Sequence, residues 1–213
     1  FIAVFSERFI LRKVDYNPES TIVATIGILY VIQQLTLMGF GPEARPVEAP
    51  IYFRVSFPWF GYSGYKLLVA VMSGLCLCGV WLILKRTKLG LYMRATQQDY
   101  EIATTFGVPT KKIYASVFAL GGGLAALAGV LVVPIRQADH LMGLEPLLLS
   151  FIVVIIGGLG SIRGTIIAAF LIGISDGIIS VFYEPTLAKM LATLFVVMIL
   201  IIKPSGLFGD NQQ

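Results

Sequence analysis

Charge is scarce in this sequence. Only 13% of its 213 residues are Asp, Glu, Lys or Arg, against about 25% in an ordinary soluble domain. A soluble chain of this length would be one or two domains by size, and it could not cover its surface with so few charges. Disorder is excluded on the opposite ground. It requires low hydrophobicity and high charge, and here 57% of the residues are hydrophobic. Histidine occurs once and cysteine twice. His140, beside Asp139, has no His or Cys cluster with which to hold a metal. Cys76 and Cys78 share one apolar run at a spacing that does not bring two helical side chains together, so they read as inert apolar thiols. No G-x-x-x-x-G-K-[ST] phosphate loop is encoded, and no nucleophile–base constellation falls within an apolar run. No catalytic residue, cofactor or metal is therefore expected. The net charge of +4 does not mark a nucleic-acid binder either, because the Lys and Arg residues sit between apolar runs rather than on one basic face.

Long apolar runs are what the sequence has instead. A spanning helix needs about 20 mostly apolar residues. Ser20 to Phe40 fits, with polar Gln33 and Gln34 inside it. Leu67 to Leu84 and the Gly/Ala-rich run Ile113 to Val133 also fit. Leu147 to Ile156 is about half the needed length and runs into GGLGSIRG at 157–164. Thr165 to Val181 follows, interrupted by Ser175-Asp176, and Leu187 to Ile202 ends at Lys203-Pro204, where proline cannot continue a helix. These runs are too long for barrel strands of about 10 alternating residues. Backbone groups in lipid must bond within their own segment. The expected fold is therefore all-α, a polytopic transmembrane helical bundle of about six spanning or half-spanning helices. Phe1 to Phe5 is apolar and stops at Glu7-Arg8. Its charges follow the apolar stretch, opposite to a signal peptide, so it is expected to be the end of a membrane helix that begins outside this chain.

Lys and Arg set the orientation. With 85–112 taken as cytoplasmic, alternation puts eleven of the sixteen basic residues on that side, six of them in this one loop (Lys85, Arg86, Lys88, Arg94, Lys111, Lys112). The bias supports a cytoplasmic placement of the loop and of the C-terminus. The outer loop 41–65 carries Pro42, Pro46, Pro50 and Pro58, which argue against a helix there. Short extended pieces are expected, including a small hairpin from Ile51 to Trp59. The aromatic residues of 52–65 suit an interfacial belt.

A loop as long as 85–112 must hold structure of its own. Met93 to Phe106 can form one short amphipathic helix, with Ala95, Tyr100, Ala103 and Phe106 on its apolar face. Gly107 and Pro109 end it. Glu101 to Gly107 reads E-x-A-x-x-x-G. This resembles the EAA loop of bacterial ABC importer permeases, although the Leu-Pro ending of that motif is not evident. The alternative is a helix lying on the membrane surface. Three longer stretches bear on the choice: RATQQDYEIATTFGV at 94–108, GGLGSIRG at 157–164 with KPSGLFG at 203–209, and TIVATIGILYVIQQLTLMGFGPEARPV at 21–47. Together and in order they resemble the branched-chain amino acid ABC permease family, whose relatives include permeases for urea and short amides.

The resemblance implies a permease domain over 1–213 that lacks its N-terminal helices, with 85–112 as its cytoplasmic coupling loop. It implies Arg94, Gln98, Asp99, Glu101, Ala103 and Gly107 as ATPase-coupling residues. It also implies a second permease subunit, two cytoplasmic ATP-binding subunits and an extracytoplasmic substrate-binding protein, at a bacterial inner membrane. The expected role is translocation of branched-chain or other hydrophobic amino acids, with no chemistry in this chain. The other reading is an ATP-independent secondary transporter or channel using Asp176 as an ion or proton group.

Asp176 is the one acid that these spans enclose. It lies roughly 16 Å along its helix from Thr165, near the bilayer middle, where a carboxylate costs about 3 kcal/mol. It should face protein or water, with hydrogen bonds from Ser175, Ser180, Gln33 or Gln34. It is either functional or a hydrogen-bonded structural residue. Gly157, Gly158, Gly160 and Ser161 mark a break in the membrane helix. Such breaks line polar cavities in transporters or simply allow tight packing. Gly173 and Gly177, like Gly121 to Gly123, read as helix-packing faces.

Overall fold

A computed structural model describes residues 2–14, 18–51, 54–56, 61–158 and 160–182. The expected final span Leu187–Ile202, with the KPSGLFG segment, lies outside the described residues. The chain divides into two compact units, 1–141 and 142–213.

The first unit begins with α1 (Ile2–Phe9) and a 3-10 turn over Leu11–Val14. The helix thus continues through Glu7-Arg8 rather than stopping before it. It can do so because α1 packs along α6 (Thr110–Arg136). Ala3 meets Gly122, where no Cβ would fit, and Leu11 is fully buried. Of the glycine triplet, Gly122 is the one used here; Gly121 and Gly123 face open space within this unit. Glu7 is buried as well, at 1% exposure.

Helix α2 (Pro18–Phe40) starts on a proline, which is tolerated in a first turn because its missing N–H would be unpaired there anyway. Glu19 follows in the first turn, where the helix dipole favours an acid. Hydroxyls inside the helix turn back onto it: Thr25 donates to Thr21 O at 2.9 Å and Thr36 to Ile32 O at 2.8 Å. Each of these hydroxyls is thus satisfied without water. Helices α3 (Gly64–Arg86) and α6 complete a set of three helices long and apolar enough to cross a membrane among the described residues. At 23 residues, α2 and α3 each reach about 34 Å, enough for the hydrocarbon core of about 30 Å.

Between α2 and α3 the described chain is tied back to the segment after α6 by backbone pairing. Arg45 and Ala138 exchange backbone hydrogen bonds at 2.9 Å each way. The Arg45 guanidinium donates to Phe40 O at 2.8 Å, covering the end of α2. The hairpin pairs β1 (Arg54–Ser56) with β2 (Gly61–Ser63), Val55 opposite Tyr62. It sits a few residues later than the expected Ile51–Trp59. At the start of α3, the buried Tyr65 donates its hydroxyl to Leu131 O near the end of α6, at 3.1 Å. That bond makes α3 and α6 antiparallel neighbours. It puts the 41–51 and 137–141 segments at one end of the unit and the α3–α6 connection at the other.

The second unit is a helical hairpin of α7 (Leu144–Gly157) and α8 (Ile162–Phe182). Ile156 and Ala168 form its core, with Ile152, Val153 and Ile172 against them. Gly157 at the end of α7 lies directly against Thr165 near the start of α8, so the chain reverses and the hairpin is antiparallel. At 14 residues, α7 reaches only about 21 Å, less than a bilayer core.

Candidate functional site

The connection from Lys85 to Lys112 is built from two helices rather than the single one expected over Met93–Phe106. Helix α4 is Lys88–Gln98 and α5 is Tyr100–Thr105. Asp99 causes the break. Its backbone is extended (φ −156°, ψ 115°), so it closes α4 and caps α5, with Oδ1 accepting from Ile102 N at 2.9 Å. Aspartate is a strong N-cap because its side chain satisfies an N–H that the first helical turn leaves unpaired.

Thr87 makes the corresponding joint between α3 and α4. Its hydroxyl donates to Ile83 O at 2.5 Å and accepts from Gly90 N at 3.3 Å. Gly90 is buried directly on the Leu84 backbone, where a Cβ would collide with the carbonyl. Arg94 donates to the same Leu84 carbonyl. Its guanidinium therefore clasps α4 against the end of α3.

Gly107 ends α5. Its φ is +78°, a left-handed conformation that side-chain-bearing residues adopt at a cost. Gly107 N donates to Thr104 O at 2.9 Å and Val108 N to Ala103 O at 3.0 Å. Those two bonds define a Schellman turn, which satisfies carbonyls left over at a helix end. Ala103 is 3% exposed, so it belongs to the inside of the turn.

The two helices leave a hollow of about 490 Å³ between them, lined by Leu91, Ala95, Asp99, Ile102, Ala103 and Val108. Ile102 stands exposed beside it, and Phe106 is 84% exposed. Tyr100 tilts against Tyr114 of α6 with ring centroids 6.3 Å apart. Gln98 and Glu101 are exposed. Of the six residues expected at this site, Gln98, Asp99 and Ala103 line the hollow, Arg94 and Gly107 hold the helices in place, and Glu101 is exposed. Thr87, Gly90 and Ile102 join them without being part of the expected set. A Thr two residues before Leu89-Gly90 and an Asp before the Tyr100–Thr105 run are N-cap signals that are legible in the sequence.

The second group of residues lies elsewhere. Gln33 is half-buried and Gln34 exposed on α2. In the second unit, Gly158 (φ 95°) ends α7 and Gly160 has φ 89°. Ser161 caps α8, its Oγ accepting from Gly164 N at 3.1 Å. Gly157 is buried against Thr165, with no room for a Cβ. The break at 157–161 is thus both a chain reversal and a close helix approach. Asp176 is half-buried on α8. Ser175, one expected partner, instead donates to Leu171 O at 2.7 Å, because a helical serine reaches the preceding turn more easily than its neighbour. Ser180's side chain lies outside the described residues, and among those described the Asp176 carboxylate has no hydrogen-bond partner. Gly173 and Gly177 face open space within this unit. Asp139 and His140 form a local pair at 2.7 Å, and both cysteines of α3 are free thiols. Among the described residues no group of three His, Cys, Asp or Glu could hold a metal.

Three helices long and apolar enough to cross a membrane, with a further apolar helical hairpin, are those of a multi-pass membrane protein. The chain belongs to the family described as the permease component of branched-chain amino acid transport systems, which matches residues 2–202. It is similar to the high-affinity branched-chain amino acid transport system permease protein LivH of Escherichia coli K12, 23% identical over 213 residues, covering 93% of this chain and 68% of that protein. It is similar also to BraD of Pseudomonas aeruginosa, a permease protein of the same description, 26% identical over 211 residues, covering 93% and 69%. The galactofuranose transporter permease protein YtfT of E. coli K12 is 31% identical over 158 residues, covering 68% of this chain and 46% of that protein. No solved structure matches the chain.

Proposed function

We propose that the chain is the transmembrane permease subunit of an ABC importer carrying branched-chain or other hydrophobic amino acids across a bacterial inner membrane. The observation that carries this reading is the α4–α5 elbow. Both helices are pinned to the ends of α3 and α6, yet the elbow presents apolar Ile102 and Phe106 outward. An exposed apolar knob held on a rigid base suits docking to a protein partner. In this reading the partner is one of two cytoplasmic ATP-binding subunits, and Arg94, Gln98, Asp99, Glu101, Ala103 and Gly107 form or hold the docking surface. The opposite end, with segment 41–51 and the hairpin, meets an extracytoplasmic substrate-binding protein. The C-terminus is cytoplasmic, and 1–213 acts as one permease domain beside a second permease subunit. The chain performs no covalent chemistry. Gln33, Gln34, Asp176 and the 157–161 break contribute to the translocation path or to the helix packing around it.

The test is co-purification of the full-length permease with its ATPase. Phe106→Ala and Glu101→Lys should reduce the retained ATPase about tenfold or more while leaving membrane insertion intact. Isolation without any ATPase, with transport insensitive to ATP depletion, would overturn the reading.

A further inference from the structure

Five exposed cations ring the end of the first unit that carries the elbow. Lys85 and Arg86 lie in the last turn of α3, Lys88 opens α4, and Lys111 and Lys112 lie in the first turn of α6. Because α3 and α6 are antiparallel, the five gather at one level. None forms an ion pair among the described residues. Lys111 and Lys112 are also placed against the positive end of their own helix dipole. The N-cap there is Pro109, which supplies no side-chain cap, and the first turn holds no acid. Depth is marked by Trp81. The residue is 45% exposed, and Lys85 Nζ lies 4.7 Å above its ring. A Trp one turn inside a basic helix end is the arrangement of a bilayer interface. The acids of the same connection, Asp99 and Glu101, lie at the α4–α5 joint.

We propose that this rim is a binding site for anionic phospholipid headgroups, the phosphates lying between Lys88 and the Lys111–Lys112 pair. Each cation near an anionic surface strengthens binding on the order of fivefold. The proposal rests on the membrane-spanning assignment and not on ATPase coupling.

The test uses the full-length permease with every tryptophan except Trp81 replaced by phenylalanine, in vesicles mixing phosphatidylcholine and phosphatidylglycerol. One lipid at a time carries brominated chains, which quench tryptophan on contact. Brominated phosphatidylglycerol should quench Trp81 more than brominated phosphatidylcholine at equal mole fraction. The preference should fall with added NaCl. It should fall by more than about tenfold in Lys88→Gln/Lys111→Gln/Lys112→Gln, which leaves Lys85 and Arg86 in place, and persist in the Lys→Arg triple. Equal quenching by the two lipids would overturn the proposal, and so would a preference unchanged in the Gln triple. Should the Gln triple fail to insert, the salt titration of the parent decides, and a preference indifferent to NaCl sinks the idea.

Discussion

Replacing Gly107 by alanine isolates one physical term. The residue holds φ +78° in open space, with nothing within 4 Å of where a methyl group would stand. A Cβ there would meet no neighbour, so the cost is conformational alone. For an L-residue it is about 1–2 kcal/mol. The Schellman turn that Gly107 allows is held by two amides, Gly107 N to Thr104 O at 2.9 Å and Val108 N to Ala103 O at 3.0 Å. Opening that turn exposes both. If local opening governs their exchange, the alanine variant should exchange these amides about 5–30 times faster. Gly107→Asn should fall between alanine and the parent, because asparagine visits the left-handed region more readily. Amides in the middle of α2 should be unchanged in both. Hydrogen exchange read by mass spectrometry on peptides across 103–112 resolves the difference. Parental exchange rates in the alanine variant, or equal acceleration by alanine and asparagine, would refute the argument.

The remaining predictions rest on separate contacts. In Gly157→Ala the new Cβ would lie 2.5 Å from Thr165 Cα and 2.6 Å from Gly164 C, and this crowding should cost about 1–3 kcal/mol. Gly173→Ala, in open space, should stay within about 0.5 kcal/mol of the parent, so equal shifts of the two unfolding midpoints would count against the close-approach account. Asp99→Ala removes the cap on Ile102 N and should destabilise α5 by about 1 kcal/mol. Asp99→Asn should restore most of it, and exchange at the Ile102 amide ranks the three. Tyr65→Phe loses the bond to Leu131 O and should lower the unfolding free energy by about 1 kcal/mol, with no change in far-ultraviolet helicity. Asp176→Leu should alter transport or assembly, whereas parental behaviour in both assays would make the carboxylate incidental.

The membrane helices are legible in the sequence because length and apolarity decide them without tertiary help. Ser20–Phe40, Leu67–Leu84 and Ile113–Val133 each reappear within a turn or so of α2, α3 and α6. The 157–164 break is legible for the same reason, since glycines interrupt an otherwise apolar run. What stays hidden is local competition. The 93–106 segment has an amphipathic pattern that one helix would satisfy, but Asp99 offers the backbone a better partner at a bend than within a helix. The helix at Glu7-Arg8 is hidden for a different reason. Its persistence depends on burial against α6, a contact between residues far apart in sequence. The family resemblance makes Arg94 a docking residue, whereas its guanidinium is engaged with Leu84 O.

That engagement bears on how the elbow could work. A flexible loop between α3 and α6 would absorb a push from a partner. Here each joint is closed by its own hydrogen bonds, at Thr87, Asp99 and Gly107. The Leu84 carbonyl receives Arg94 and also sits against Gly90, so α4 cannot slide along α3 without breaking both contacts. Tyr100 against Tyr114 resists the same motion on the α6 side. A force applied at Phe106 would therefore pass to the ends of α3 and α6 together. Those two helices are joined again at their far ends by Tyr65 and Leu131, so they would tilt as a pair rather than separate. Coupling of this kind needs a stiff elbow more than any particular exposed side chain. On that ground Gly90→Ala, which would drive α4 off the Leu84 backbone, should uncouple transport from ATP hydrolysis more severely than Gln98→Ala on the exposed face.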